Sequence, residues 1–202
     1  MSALPKTRLN ALQYLAIENA AEFRSEFFDG EMFAMAGASP RHNFIKENVA
    51  VELGSRIKGG RCRTMSSDQR VTVERTGLYT YPDILVVCGT PQFARDDANS
   101  IVNPTAIIEV LSPSTEKYDR GAKFRNYQQI QTLVEYILVA QDEAVCERFI
   151  RQADGSWNFV SFVGLAETLT FHSVPANILL ADIYAGIEFS EDATLADRTA
   201  SD

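Results

Sequence analysis

The chain has 202 residues, of which 46% are hydrophobic and 10% aromatic, which is enough apolar material for one ordinary globular domain. Its 19 Lys and Arg against 27 Asp and Glu give a formal net charge of −8. This balance argues against a generally basic nucleic-acid-binding protein and against a polybasic protein of the membrane surface. The steady supply of Ile, Leu, Val and Phe excludes disorder over most of the chain, and no apolar run approaches the length of a membrane span.

The three cysteines, Cys62, Cys88 and Cys146, are far apart and form no Cys-x-x-Cys pair. Their odd number argues against a disulfide framework, so each is expected to be a small buried hydrophobe within a strand. The reducing cytoplasm is then the expected location. With His42 and His172 as the two histidines, a Cys/His zinc site is not expected.

Apolar periodicity predicts helices and a hairpin in the first third of the chain. An amphipathic helix is predicted over 9–21, followed by strands over 23–28 and 32–36 that flank the turn dipeptide Asp29-Gly30. A longer helix is predicted over 41–58. Its apolar stripe is expected at Phe44, Ile45, Val49 and Leu53.

From residue 61 onward the apolar pattern is typical of strands. Strands are predicted at 61–65, 70–74, 83–88 and 106–111, then a helix at 119–131, and then a meander at 135–140, 145–151 and 157–162. The expected class is α/β or α+β, with a mixed central sheet flanked by helices and an N-terminal helix and hairpin. Residues 1–189 are expected to form a single domain and 190–202 an acidic, flexible tail.

Two carboxylates lie within apolar strands of this pattern. Asp83 opens one strand, and Glu109 lies inside another with apolar residues on both sides. Because desolvating an ionised carboxylate is costly, each predicts a cation, a hydrogen-bond network or an active-site cleft. If the two meet at adjacent strand ends, their oxygens suit Mg²⁺ or Mn²⁺. The alternative for Glu109 is a buried ion pair with Arg70 or Arg125.

The predicted helix that follows offers a cation for the same cleft. Asp119, Lys123 and Tyr127 are spaced i, i+4 and i+8, so they share one helical face. Lys123 would orient or help deprotonate the attacking water, or stabilise developing negative charge. The alternative is an exposed Asp119–Lys123 ion pair, which is favoured for Asp119, whereas the cleft is favoured for Lys123. For Tyr127, the alternative to a role in the cleft is that it is simply a core residue.

Five motifs follow one another along the chain: Glu26-Phe-Phe-Asp-Gly-Glu31, Met35-Ala-Gly-Ala-Ser-Pro-Arg-His-Asn43, Pro82-Asp83, Glu109-Val-Leu-Ser-Pro-Ser-Thr115 and Asp119-x-x-x-Lys123-x-x-x-Tyr127. Together they resemble the Uma family of restriction-endonuclease-like proteins, a branch of the PD-(D/E)XK nuclease superfamily. The resemblance covers about residues 12–184, nearly the whole chain.

This resemblance implies a set of site residues. Asp83 would supply the aspartate of the PD motif, Glu109 the second acid and the main-chain carbonyl of Val110 a further metal ligand. The sequence departs from the general superfamily pattern because Leu111 stands where the lysine is expected. In the Uma branch the lysine comes from the following helix, which fits Lys123.

Glu26 and His42 join Tyr127 as accessory candidates. Glu26 matches an acid of the family's N-terminal hairpin and would reach the cleft. For His42, a substrate contact and a position on a solvated helix face are weighed equally. Phe27, Phe28 and Phe33 are expected to pack the hairpin rather than to stack on bases.

A locally basic stretch runs from Arg41 to Arg75, with eight basic and four acidic residues. It either follows a phosphate backbone or is a solvated face. The chain is therefore predicted to be a Mg²⁺- or Mn²⁺-dependent endonuclease that acts on DNA, with a homodimer expected by analogy and with no membrane or organic cofactor. A catalytically silent module that binds DNA or a protein, and a purely structural homodimer, remain as alternatives.

Overall fold

The computed structural model describes residues 8–35 and 37–189, so the predicted tail at 190–202 lies outside the described residues. The helices are α1 (Ala11–Ala20), α2 (Pro40–Ile57), α3 (Glu116–Tyr118), α4 (Phe124–Tyr127) and α5 (Leu180–Ile183), and a π-helical turn (Asp119–Lys123) joins α3 to α4. The strands are β1 (Ser25–Phe28), β2 (Glu31–Ala34), β3 (Cys62–Ser66), β4 (Arg70–Val73), β5 (Leu78–Thr80), β6 (Ile84–Cys88), β7 (Phe93–Ala94), β8 (Asp97–Ile101), β9 (Ala106–Val110), β10 (Glu135–Val139), β11 (Val145–Arg151), β12 (Trp157–Val163), β13 (Thr168–Thr170) and β14 (Asn177–Leu179). None of the helices in these two ranges is long and apolar enough to cross a membrane.

Two six-stranded mixed sheets form the centre of the fold. Sheet A has the order β2-β1-β5-β4-β8-β7 and sheet B the order β12-β11-β10-β9-β6-β3. Each contains one parallel pair, β4 with β8 in sheet A and β9 with β10 in sheet B. The predicted mixed sheet with flanking helices is confirmed. Three of the six strands of sheet A were not predicted, because β5 and β7 are only three and two residues long and β8 reads Asp-Ala-Asn-Ser-Ile, a sequence with more turn than strand character.

Local signals fix the N-terminal elements as expected. The Asn10 side chain accepts a hydrogen bond from the Gln13 backbone while the Gln13 side chain caps Asn10 in return, so α1 begins with a capping box. The predicted hairpin turn is confirmed, since Asp29 has φ 48° and Gly30 has φ 83°, the left-handed pair that a tight hairpin requires. The Ser39 side chain caps the start of α2, where Pro40 occupies the first turn.

Sheet B separates two apolar cores. Ile84 and Ile108 pack on the side of α2 and α5, whereas Leu85 and Ile107 pack on the side of sheet A and α4. A third, smaller cluster joins α1 to the hairpin. Since side chains alternate along a strand, the acids that precede or interrupt these runs take the side of Leu85 and Ile107, between the two sheets.

The helices differ from their predicted details in two places. The stripe prediction for α2 is wrong at Phe44, which is 61% exposed, because the buried face of the helix begins at His42 and continues from Ile45. The helix predicted over 119–131 begins earlier and ends at Tyr127, and its middle is the π-helical turn. Such turns widen a helix by one residue and often lie at functional sites.

The prediction for two of the cysteines is wrong. Cys62 and Cys88 are direct partners in the antiparallel register of β3 and β6, with Cα atoms 4.0 Å apart, and they form a disulfide. Their separation of 26 residues along the chain is irrelevant once the two strands lie side by side. Cys146 is free and buried, as predicted.

Candidate active site

The start of β6 and the end of β9 bring the two predicted acids together. These strands are antiparallel with Ile84 opposite Ile108, so the residues just beyond that pair meet at one end of the strands. The backbone N–H of Asp83 donates to Glu109 Oε2 at 3.2 Å. In return, the backbone N–H of Val110 donates to Asp83 Oδ2 at 2.8 Å. Reciprocal hydrogen bonds therefore fix both carboxylates at the same point, as alternation and strand ends predicted.

Lys123 lies against Glu109, on the side of the cluster where its ammonium was predicted. Its Nζ is 2.9 Å from Glu109 Oε1, 3.2 Å from Glu26 Oε1 and 3.4 Å from Asp119 Oδ1. The predicted ion pair with Asp119 exists, but its predicted exposure is wrong, because both side chains are buried. The π-helical turn carries both residues, and the Tyr136 hydroxyl donates to its Asp119 carbonyl at 3.2 Å.

Glu109 is almost fully buried and its partners are not arginines. The Tyr127 hydroxyl donates to Glu109 Oε1 at 2.9 Å, so Tyr127 belongs to the core and to the site at once. The alternative pairing with Arg70 or Arg125 is wrong. Arg70 forms a buried ion pair with Asp97, and Arg125 is exposed.

His42 reaches the same end of the strands from the first turn of α2. Its Nε2 is 3.0 Å from the Val110 carbonyl oxygen and 3.2 Å from Asp83 Oδ2. Because a carbonyl only accepts, Nε2 carries the hydrogen. The alternative of a solvated helix face is therefore wrong, and the buried Nδ1 has no hydrogen-bond partner among the described residues.

Glu26 completes the cluster from β1, and two of its neighbours were not predicted. Thr80 donates its hydroxyl to Glu26 Oε1. The Tyr118 ring lies 5.9 Å from Lys123 Nζ, measured to the ring centroid. Thr80 lies three residues before Asp83, and Tyr118 lies directly before Asp119. This closeness in sequence to predicted site residues was the signal that could have identified them.

The electrostatics of the cluster follow from its burial. Burial raises the pKa of Glu109 to about 8 despite the nearby Lys123. Burial likewise raises the pKa of Asp119. Burial by itself would lower the pKa of Lys123, but the carboxylates around it, Glu109 foremost, raise that pKa well above its ordinary value. Lys123 is thus a stable ammonium surrounded by acids.

The donor set of this cluster fits a hard divalent cation. Two carboxylates, Asp83 and Glu109, and the Val110 carbonyl offer oxygen only, which Mg²⁺ and Mn²⁺ prefer. The cluster has four carboxylates and two basic groups: Glu26, Glu109 and Asp119 contact Lys123, and Asp83 contacts His42. When all four carboxylates are ionised, the cluster carries an excess of negative charge. Within residues 8–35 and 37–189, no three His, Cys, Asp or Glu side chains are arranged to hold a metal by themselves.

The basic stretch between Arg41 and Arg75 contributes less free charge than its composition indicates. The charge of Arg70 is neutralised by its buried ion pair with Asp97, and Arg56 pairs with Glu52. The exposed cations that remain are Lys58, Arg61, Arg63 and Arg75.

Comparison with known proteins assigns the chain to a family. The family model "Uma2: Putative restriction endonuclease" matches residues 11–181. Two Synechocystis proteins are similar over most of their length: "Uncharacterized protein slr1290" is 32% identical over 185 residues, 92% of this chain and 96% of that protein. "Uncharacterized protein sll1609" is 33% identical over 156 residues, 77% of this chain and 88% of that protein.

A solved structure shares the fold. The crystal structure of a "putative nuclease belonging to DUF820" from Anabaena variabilis superposes with a TM-score of 0.73, covering 89% of this chain and 99% of that one at 17% identity. At that identity the likeness concerns the fold alone. The family match spans the hairpin, both strand acids and the lysine helix described above, and the chain therefore belongs to the Uma2 family of restriction-endonuclease-like proteins.

Proposed function

We propose that this protein is a divalent-metal-dependent endonuclease that hydrolyses phosphodiester bonds in DNA. The observation that carries the proposal is the convergence of Asp83, Glu109 and the Val110 carbonyl at one end of two adjacent strands, with the Lys123 ammonium 2.9 Å from Glu109. Membership of a nuclease-like family supports the same chemistry.

Asp83, Glu109 and Val110 would hold Mg²⁺ or Mn²⁺. Such an ion would neutralise phosphate charge and lower the pKa of water, so that a nucleophile forms at neutral pH. The Val110 carbonyl has two lone pairs, and His42 Nε2 uses one of them, so a second remains for this role.

The other side chains would orient the reacting groups. Lys123, held as an ammonium by three carboxylates, is suited to orient water and stabilise charge rather than to accept a proton. Tyr127 fixes the rotamer of Glu109 and His42 fixes that of Asp83. Glu26 holds the lysine from the opposite side. Each group is therefore positioned before substrate arrives.

The test is cleavage of supercoiled plasmid and of branched DNA in Mg²⁺ or Mn²⁺. We expect nicking or cleavage by the wild-type protein and its loss in Asp83→Asn and Glu109→Gln. Asp29→Asn, at an exposed turn acid, is the matched control and should cleave normally. Inactivity of the wild-type protein across both metals and all DNA forms would refute the catalytic proposal.

A catalytically silent module that binds DNA or a protein is the second candidate. It is favoured by one observation, which is that Glu109 is already satisfied by Lys123, Tyr127 and the Asp83 backbone. Calorimetry with Mn²⁺ separates the two candidates. Binding that disappears in Asp83→Asn and Glu109→Gln supports the enzyme, and the absence of such binding supports the silent module.

We further propose a cytoplasmic location, where DNA is accessible and where the Cys62–Cys88 disulfide would be an exception to the usual reduced state of thiols. We also propose a homodimer as the form that cuts both strands of a duplex. Two centres related by a two-fold axis would address the two strands. Sedimentation velocity with and without a duplex oligonucleotide tests the second point, and a monomer that cuts both strands at once would contradict it.

A further inference from the structure

Phe33 occupies an exposed position directly beside the acidic cluster. In the hairpin, Phe33 on β2 is the antiparallel partner of Glu26 on β1. Directly opposed residues project from the same face with Cβ atoms about 5 Å apart. Since Glu26 contacts Lys123, the Phe33 side chain projects from the hairpin face that carries this contact. It is 49% exposed, so packing within the hairpin leaves about half of its surface free.

The other hairpin aromatics are used in packing. Phe27 is buried against Tyr14, with ring centroids 4.8 Å apart. Phe28 packs against the core between the sheets. Phe33 differs from both because β2 is the edge strand of sheet A, and Met35, two residues further on, is also exposed. Phe33 and Met35 thus form an exposed apolar ledge on the hairpin beside Glu26.

We propose that Phe33 is a base-stacking, specificity-determining residue and that the substrate class is DNA with an unpaired nucleobase next to the scissile phosphate. The inference rests on the proposed function and deepens it. A nucleotide bound with its phosphate at Asp83 and Glu109 places its neighbouring base outside the acids, where Phe33 offers a π-face. Base–aromatic stacking tolerates any sequence but requires that the base be free of its helix.

The occupant follows from the position of the ledge. Paired bases in a duplex are stacked on their neighbours and hidden from a protein side chain, whereas single strands, flaps and mispaired sites present free bases. Phe33 is the cross-strand partner of Glu26, and Glu26 contacts Lys123, so Phe33 lies next to the acidic cluster rather than on a distant surface. A free base attached to the phosphate in the cleft therefore fits this ledge directly.

The test measures stacking without cleavage. A DNA oligonucleotide that carries 2-aminopurine is titrated with the wild-type protein in Ca²⁺, once as a single strand and once fully paired. We expect quenching and preferential binding of the single strand. Phe33→Leu should abolish the quenching and weaken single-strand binding about 5- to 150-fold, while duplex binding changes little. Phe33→Trp should retain both.

Phe93 provides a matched control, because it lies on β7, the opposite edge strand of the same sheet, and is 51% exposed. Phe93→Leu should behave like the wild-type protein. Equal binding by Phe33→Leu and Phe93→Leu overturns the inference, and so does a wild-type protein that binds no single strand. Tighter binding of the matching RNA than of the DNA overturns the substrate class.

Two further outcomes keep the inference separate from the proposed function. If Phe33→Leu converts a dimer to a monomer in light scattering, the ledge is an interface with a second copy and the stacking role is refuted. If Asp83→Asn still cleaves DNA, the proposed function fails, yet the 2-aminopurine signal and its dependence on Phe33 are measured without any cleavage.

Discussion

Lys123 Nζ lies 2.9 Å from Glu109 Oε1, although the two residues belong to different elements and Leu111 stands two positions after the acid. Leu111 is buried in the core between the sheets, on the strand side that Glu109 shares. The ammonium arrives instead from the π-helical turn above the strand. The cation beside Glu109 therefore comes from the helical segment that follows β9 and not from the strand itself.

Lys123→Met should destabilise the protein by about 3–5 kcal/mol, because it leaves Glu109, Glu26 and Asp119 buried without their cation. Urea denaturation measures the change in the free energy of unfolding. Arg8→Met is the control, since Arg8 forms an exposed pair with Asp29 and its loss should cost less than about 1 kcal/mol. Equal effects of the two variants would contradict the buried network.

Tyr127→Phe should reduce both stability and cleavage. Removal of its hydroxyl leaves Glu109 with one donor fewer, which costs about 1–3 kcal/mol of stability and loosens the carboxylate. Tyr184→Phe is the matched control, because Tyr184 is also buried and donates to the Val145 carbonyl in the core on the other side of sheet B. It should lose stability but keep full cleavage at a temperature where both variants are folded. Normal cleavage by Tyr127→Phe would show that Glu109 needs no such orientation.

The pH dependence of stability should contain a contribution from Asp97. Burial alone would raise the pKa of Asp97, but hydrogen bonds from Ser100, the Asn99 backbone and Arg70, together with the Arg70 charge, lower it below its ordinary value. A depressed folded-state pKa stabilises the protein above the unfolded value of about 4 and loses that contribution as pH falls through the folded-state pKa. Asp97→Asn lacks this contribution.

The measurement is urea unfolding of the wild-type protein and of Asp97→Asn at pH 7, 5, 4 and 3. The difference in the free energy of unfolding should be constant from pH 7 to 5 and should shrink below pH 4. A difference that stays constant down to pH 3, or grows, would show that the pKa of Asp97 is not lowered.

Reduction of the Cys62–Cys88 disulfide should destabilise the protein by roughly 3 kcal/mol, because the bridge closes a loop of 26 residues in the unfolded chain. Urea unfolding with and without dithiothreitol measures the loss. The double variant Cys62→Ala/Cys88→Ala should be equally destabilised and insensitive to the reductant. A reductant effect that persists in the double variant would assign the loss to another cause.

The predictable part of this molecule is the part that local patterns encode. The hairpin at Asp29-Gly30, the long helix and the two strand acids follow from turn chemistry and alternation. The placement of Lys123 in the cleft depended on the joint pattern of motifs, since i, i+4 spacing alone favoured an exposed pair. Burial of Asp119 could not be inferred, because it depends on the π-helical turn.

Contacts between distant segments account for the rest. The cross-strand pairing of Cys62 with Cys88 depends on which strands become neighbours, and composition carries no information about that. Thr80 contacts Glu26 only because β5 lies beside β1 in sheet A, whose short strands lack a clear pattern. Exposure of Phe33 similarly depends on β2 being an edge strand.

The antiparallel pairing of β6 with β9 also limits how this family can vary. A one-residue insertion between Asp83 and Ile84, which pairs with Ile108, would turn the aspartate to the opposite side of sheet B, towards α2 and away from Lys123. The same shift before Glu109 would bury its carboxylate among aliphatic side chains. Length changes should therefore accumulate in the surface loops of relatives, whereas these two strands should tolerate only substitutions.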